Sequence, residues 1–224
     1  MIQFPASGLS RREQAKMERR QRIVAATRAL LSENGIDAVS VTRIAKQANV
    51  SPATDYNLFG TKAAILSQVF ALDLKHFEKL VYARPSVDPI DTIFIGVETA
   101  GMLFRQDPSF YRAFRGVRST SSRSDPSGGS HESRTIFWRR IIEAAIAEGY
   151  LQPDTDAPLL AALFMQIAVG AISDWTSDNI SVDQLEQKIG FGFAVALFAF
   201  AKPNSRERIH DLINDYVRAS AELA

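Results

Sequence analysis

Between Ser40 and Leu66 the chain reads SVTRIAKQANVSPATDYNLFGTKAAIL. Its side chains are of the kinds that bind duplex DNA. A helix that reads the major groove must come close to the bases, so its exposed face needs small residues and a few hydrogen-bond donors. Ala53 offers close approach and contact with a thymine methyl. Thr54 and Asn57 can donate to base edges or phosphates, and Tyr56 can donate its hydroxyl to a phosphate while its ring packs inward. Ser51 and the unpaired N–H groups at the start of that helix suit a phosphate oxygen, and Lys62 adds a cation nearby. The same residues also fill plain roles: Ser51 as a cap only, Thr54 as a solvated helix residue, Tyr56 as core. Taken singly, they leave both readings open.

No catalytic or metal constellation competes. There is no GxxxxGK[ST] phosphate loop and no HExxH pair. The chain has no cysteine, and His76, His131 and His210 are far apart without metal-ligand spacing. No enzyme, cofactor or metal is expected.

Positioning these residues requires two short helices and a tight turn. Ser40 caps the first, and Val41, Ile44, Ala45 and Ala48 give it one small apolar face. Asn49 sits where the chain must turn, being tolerant of left-handed backbone. Ser51 caps the second helix, with Pro52 in its first turn. Helices joined by so short a turn must cross steeply, as in a helix-turn-helix. Before the pair, a helix is expected near Met17–Glu33, with Ile23, Ala26, Thr27, Leu30 and Leu31 on one face and Gly35 stopping it. After it, Thr61 caps a long helix to Ala83 that carries Ile65, Leu66, Val69, Phe70 and Phe77 along one stripe.

This stretch resembles the DNA-binding domain of the TetR family of transcriptional regulators, closely so from about Arg19 to Leu66. The resemblance rests on a first helix ending in LLSENG, then TRIAKQANVSPAT, then Tyr56, Phe59, Lys62 and Leu66 at the family's spacing. It implies that Thr42 and Arg43 face the DNA backbone, beside Ser51, Ala53, Thr54, Tyr56, Asn57 and Lys62. Two positions depart from the pattern. Asp55 stands where relatives usually carry an apolar residue: it must face solvent, pair with a base such as Arg43 or Lys46, or cost stability if buried. Facing DNA, it could only accept, for example from cytosine N4. Leu58 replaces a frequent histidine and removes a backbone contact. Both put the operator sequence in doubt.

Composition is that of a folded protein, 46% hydrophobic and 23% charged over 224 residues. The net charge of +1 is uneven. Residues 1–62 hold ten Lys/Arg against five Asp/Glu, and the remainder is net acidic, as for a DNA-binding head on a separate body. Residues 1–16, with Pro5, Ser7, Gly8 and Ser10 before a basic run, read as a flexible basic arm, disordered or loosely helical. Arg11, Arg12, Lys16, Arg19, Arg20 and Arg22 could reach phosphates or simply be solvated. Residues 17–66 form the helix-turn-helix domain and 67–224 the body.

The body is expected to be all-α, bringing the total to about ten helices and no strands, with a mobile polar loop over residues 118–130. The most apolar stretch, Ile189–Ala201, is too short to span a bilayer, and the N-terminus lacks a secretory signal. A cytoplasmic protein is expected.

The resemblance implies a homodimer whose last long helices form a four-helix bundle. Pro158–Trp175 and Val182–Ala201 fit that role, with Leu163, Ile167, Gly170, Trp175, Phe191, Phe193 and Leu197 at the interface; a core wholly within one chain is the alternative. It also implies a cavity for a hydrophobic or aromatic effector among Phe94, Met102, Phe104, Phe110, Phe114, Phe137 and Trp138, although residues at this spacing equally make plain core. The expected function is a ligand-released repressor on a palindromic operator. A constitutive DNA-binding or architectural protein is the alternative.

Overall fold

The computed structural model describes residues 10–51, 58–113 and 128–222. Among the described residues it is all-helical, the architecture expected from the sequence. The helices are α1 (Arg11–Asn34), α2 (Val41–Ala48), α3 (Lys62–Ala83), α4 (Pro89–Gln106), α5 (Gly128–Ala147), α6 (Ala157–Thr176), α7 (Val182–Phe198) and α8 (Pro203–Glu222), with a 3-10 turn over Ile36–Ala38. Residues 58–59 and 108–113 are also helical.

Side-chain caps decide where most helices begin. Asp88 accepts the Asp91 N–H at 2.8 Å ahead of Pro89, and Asp156 accepts the Leu159 N–H at 2.9 Å ahead of Pro158. Ser181 and Gln184 form a reciprocal capping box at α7. Each such cap stabilises its helix by roughly 1 kcal/mol. A further capping box corrects the sequence reading. Ser10 Oγ accepts the Glu13 N–H at 3.3 Å, while the Glu13 carboxylate accepts the Ser10 N–H at 2.9 Å. Helix α1 therefore begins at Arg11, not near Met17, and of the two readings left open for residues 11–16 the helical one holds. Helix α7 stops at Phe198, short of the expected Ala201, because the following residues pair with another segment. Gln152 donates to the Phe200 carbonyl at 2.8 Å and Lys202 to that of Tyr150 at 3.0 Å. The expected loop over 118–130 lies mostly outside the described residues, and its last three residues belong to α5.

The chain divides into two compact units, residues 1–71 with 109–127 and residues 72–108 with 128–224. In the first, Ile23, Leu31, Ile44, Ile65 and Phe70 are almost wholly buried. The buried Thr27 hydroxyl donates to the Ile23 carbonyl at 2.8 Å, which satisfies it without breaking the apolar stripe. Phe110 joins this unit, 6.3 Å from Phe70 and with the Arg28 guanidinium 3.9 Å above its ring.

The second unit is built on rings. Phe164 of α6 stacks on Phe193 of α7 at 3.8 Å, and Trp138 of α5 meets Phe193 edge-on at 5.2 Å. Two glycines permit this approach: a Cβ at Gly96 would lie 2.6 Å from Trp138 Cη2, and one at Gly192 would lie 2.7 Å from Ile167 Cγ2. Arg105 of α4 ties down α7 through Asp183 at 2.9 Å and Glu186 at 2.5 Å. Burial holds the Glu186 carboxyl above its ordinary pKa, only partly offset by Arg105. One expectation needs correction here. Among the described residues helix α6, not Ile189–Ala201, is long and apolar enough to cross a membrane by length and composition, with a third of its apolar window buried. Its Phe164 and Trp175 pack against protein, as in a core helix.

Candidate nucleic-acid interface

Helix α2 presents one face to the core and another to solvent. Ile44, Ala45 and Ala48 are buried, whereas Thr42, Arg43, Lys46 and Gln47 are exposed. Ser40 Oγ accepts the Arg43 N–H at 3.3 Å and so fixes the start of the helix. Asn49 ends it in left-handed backbone, φ 52° and ψ 54°, with its N–H directed to the carbonyls of Ala45 and Lys46. The Val50 N–H then returns to the Ala45 carbonyl at 3.0 Å. These bonds close a tight turn that leads the chain straight to Ser51, which is exposed.

Of the residues expected at DNA, Thr42, Arg43 and Ser51 lie on this exposed side, and Lys62 stands half-buried at the first position of α3. Gly60, at φ 75°, and Thr61 set that position. The Thr61 hydroxyl accepts the Ala64 N–H at 3.1 Å. Ala53, Thr54, Tyr56 and Asn57 lie outside the described residues, as does Asp55. Leu58 and Phe59 are half-buried.

Two residues gain a role that the sequence did not reveal. Arg22 Nη1 donates to the Asn49 carbonyl at 3.4 Å, and the Arg20 guanidinium lies 4.7 Å above the Phe59 ring. Helix α1 thus grips both the turn and the segment after it. The partners are 27 and 39 positions away, so no local spacing signals them.

In the body, the residues expected at an interface fall into two groups. Leu163, Phe191 and Gly170 are exposed and Ile167 is half-buried. Trp175, Phe193 and Leu197 are at most 2% exposed and belong to the chain's own core. Trp175 stacks on Phe104 at 5.4 Å, which accounts for its burial. The residues expected to line a cavity also separate. Phe94, Phe104, Phe137 and Trp138 are buried against other rings, and Met102 is 37% exposed. Phe110 belongs to the first unit, and Phe114 lies outside the described residues. A shallow pocket of about 290 Å³ does open in the body, between Tyr82, Asp88, Thr92, Arg140, Ile141 and Glu148, and none of the expected residues lines it.

Residues 23–69 match the family model described as bacterial regulatory proteins, tetR family. The chain is 29% identical over 179 residues to the HTH-type transcriptional repressor KstR of Rhodococcus jostii (strain RHA1), covering 78% of this chain and 81% of that one. It is 22% identical over 166 residues to the HTH-type transcriptional regulator UidR of Escherichia coli (strain K12), covering 72% and 84%. A TetR transcription regulator from Haloarcula marismortui superposes with a TM-score of 0.67 at 20% identity, covering 83% of this chain and all of that one. The capped helix α2 and its Asn49 turn lie within the matched segment, and the likeness continues well beyond it into the body. Residues 23–69 therefore carry the TetR-family match, and the chain is similar over most of its length to transcriptional regulators of that family.

Proposed function

We propose that this regulator is a homodimeric repressor that binds a near-palindromic operator through Ser40–Lys62 and is released by a small hydrophobic or aromatic effector. The observation that carries the DNA reading is the left-handed turn at Asn49, which ends α2 with Thr42 and Arg43 exposed and delivers Ser51 to the same unit's surface. Contact by Thr42, Arg43, Ser51, Ala53, Thr54, Tyr56, Asn57 and Lys62 is part of this proposal. So is action in the cytoplasm.

The dimer rests on two exposed stripes. Leu159, Leu163, Gln166 and Gly170 recur at steps of four, three and four along α6, and Lys188, Phe191, Val195 and Ala199 follow a similar spacing along and just past α7. Leu159 is 67% exposed and Val195 45%, on helices that pack against each other. A second copy would cover these stripes, and two heads would then meet half-sites roughly 34–36 Å apart or at a multiple. A change of a few ångströms in head separation would suffice for release.

A second reading has its own support. Rings expected to line a cavity pack against other rings of the body, with Phe104 stacked on Trp175 and Trp138 edge-on to Phe193, which favours a constitutive DNA binder without an effector. Titration of an operator duplex with the protein, followed by a screen of hydrophobic and aromatic compounds, decides between them. The effector reading predicts a compound that raises the melting temperature of the protein and releases the DNA. If no compound changes DNA affinity while the protein stays folded, the effector part is wrong. Binding of one protomer per operator would refute the dimer.

A further inference from the structure

We propose that the first three turns of α1 form a rigid phosphate-binding stem that contacts duplex DNA flanking the half-site, outside the segment read by the helix-turn-helix. The proposal rests on the DNA-reading function above and extends its footprint. Helix α1 carries its buried stripe at Ile23, Ala26 and Leu30, at steps of three and four residues. Running the same steps towards the N-terminus gives Arg19, Lys16 and Arg12. The face that packs on the head core therefore turns basic as soon as the helix passes beyond that core.

The side on which this stripe lies is set by contacts already described. Arg20, next to it, sits over Phe59, and Arg22 donates to the Asn49 carbonyl. Those two contacts place the helix-turn-helix segment alongside this part of α1. The basic row continues from there, over roughly 12 Å from Arg12 to Arg20 at 1.5 Å per residue.

Among the described residues no acid forms an ion pair with the row. Arg12 and Lys16 are exposed, and Arg19 is half-buried with its Nε unpaired. Glu13, beside Arg12 in the chain, is committed to the cap: it accepts from the Ser10 N–H at 2.9 Å and the Ser10 hydroxyl at 2.7 Å. Those bonds, with Lys16 contributing, hold its carboxyl below the ordinary range. Glu18 points away from the row, about 120° round from Arg12, 160° from Lys16 and 100° from Arg19 at 3.6 residues per turn. A row of cations outside any ion pair, fixed in a capped helix and continuous with a DNA-reading element, fits a polyanion with closely spaced charges. Duplex DNA, with about one charge per 1.7 Å of axis, is such a partner.

The test compares two duplexes carrying the same selected operator, one ending at the half-sites and one extended by a helical turn on each side. The long duplex is expected to bind at least tenfold more tightly at low salt and with a steeper salt dependence. Substituting Arg12→Gln with Lys16→Gln should reduce that advantage to under threefold and lower the slope on the long duplex by about 0.9 for each lost phosphate contact. Both positions precede the first buried residue of α1, so the melting temperature serves as the folding control. A second variant, Ala15→Pro, keeps every charge but breaks the stem, and it should lose the advantage as well. Specific binding of the short duplex with no gain on the long one would overturn the stem and leave the reading head intact. Full gain retained in Ala15→Pro would also overturn it, because a flexible arm would then suffice. Failure to bind either duplex specifically would instead refute the DNA reading beneath it.

Discussion

Substitution of Asn49 probes the turn on which the reading head depends. Its backbone lies at φ 52° and ψ 54°, a region that costs an ordinary L-residue roughly 1–2 kcal/mol and a β-branched one the most. Asn49→Gly removes that strain but gives back about 0.5–1 kcal/mol through the greater freedom of the unfolded chain. The glycine variant should therefore melt within a few degrees of the parent. Asn49→Val carries the full strain, about 1–2 kcal/mol, which for a chain of this length lowers the melting temperature by roughly 2–8 °C. If the turn relaxes to escape the strain, it forfeits the Val50–Ala45 and Arg22–Asn49 bonds and re-aims the chain after it. Binding must then restore the turn, which weakens operator affinity by about 5- to 30-fold. Thermal melts and fluorescence anisotropy on a labelled operator measure both effects. A valine variant that melts and binds like the glycine variant would refute the argument.

Three other outcomes follow from the body. Gly190→Ala would set a Cβ 2.2 Å from Tyr216 Cζ, so α7 and α8 must part at a cost of about 1–3 kcal/mol. Adding Tyr216→Ala should recover part of the loss in a double-mutant melt, and strict additivity would contradict the contact. Leu163→Asp with Phe191→Asp should yield monomers by sedimentation and abolish cooperative operator binding. A dimer that survives both changes would move the interface elsewhere. The third concerns pH. Glu186 holds its proton more tightly folded than unfolded, so its contribution is most favourable below the unfolded pKa. That contribution falls as pH rises from about 4.5 through the raised folded value. Urea titrations should show Glu186→Gln gaining on the parent between acid and neutral pH, whereas parallel curves would deny the burial effect.

Much of the fold was legible because caps are local. Ser40, Asp88, Asp156 and Ser181 each precede a helix by a rule that needs only a few residues of context. The start of α1 was missed for a related reason. Ser10 and Glu13 form the same signal, but the basic run after them lacks the apolar periodicity that normally accompanies it. Nothing local explains why α5 begins at two glycines. Interface and pocket were harder because periodicity reports that a side chain is covered, not by what. Phe193 and Leu163 read alike in sequence, yet the first stacks on Phe164 within the chain and the second faces solvent. The aromatic residues assigned to a cavity fit the same pattern: their partners, Trp175 and Tyr216, lie on helices far away in sequence.

Selection of bound duplexes from a random DNA pool, followed by sequencing, addresses the account most directly. A dimer reading DNA through Ser40–Lys62 should enrich an inverted repeat whose half-sites are separated by about one helical turn or a multiple of it. Absence of enrichment, with binding that merely fades as salt rises, would mean that the head grips phosphates without reading bases, and the account of this chain as an operator-specific repressor would be wrong.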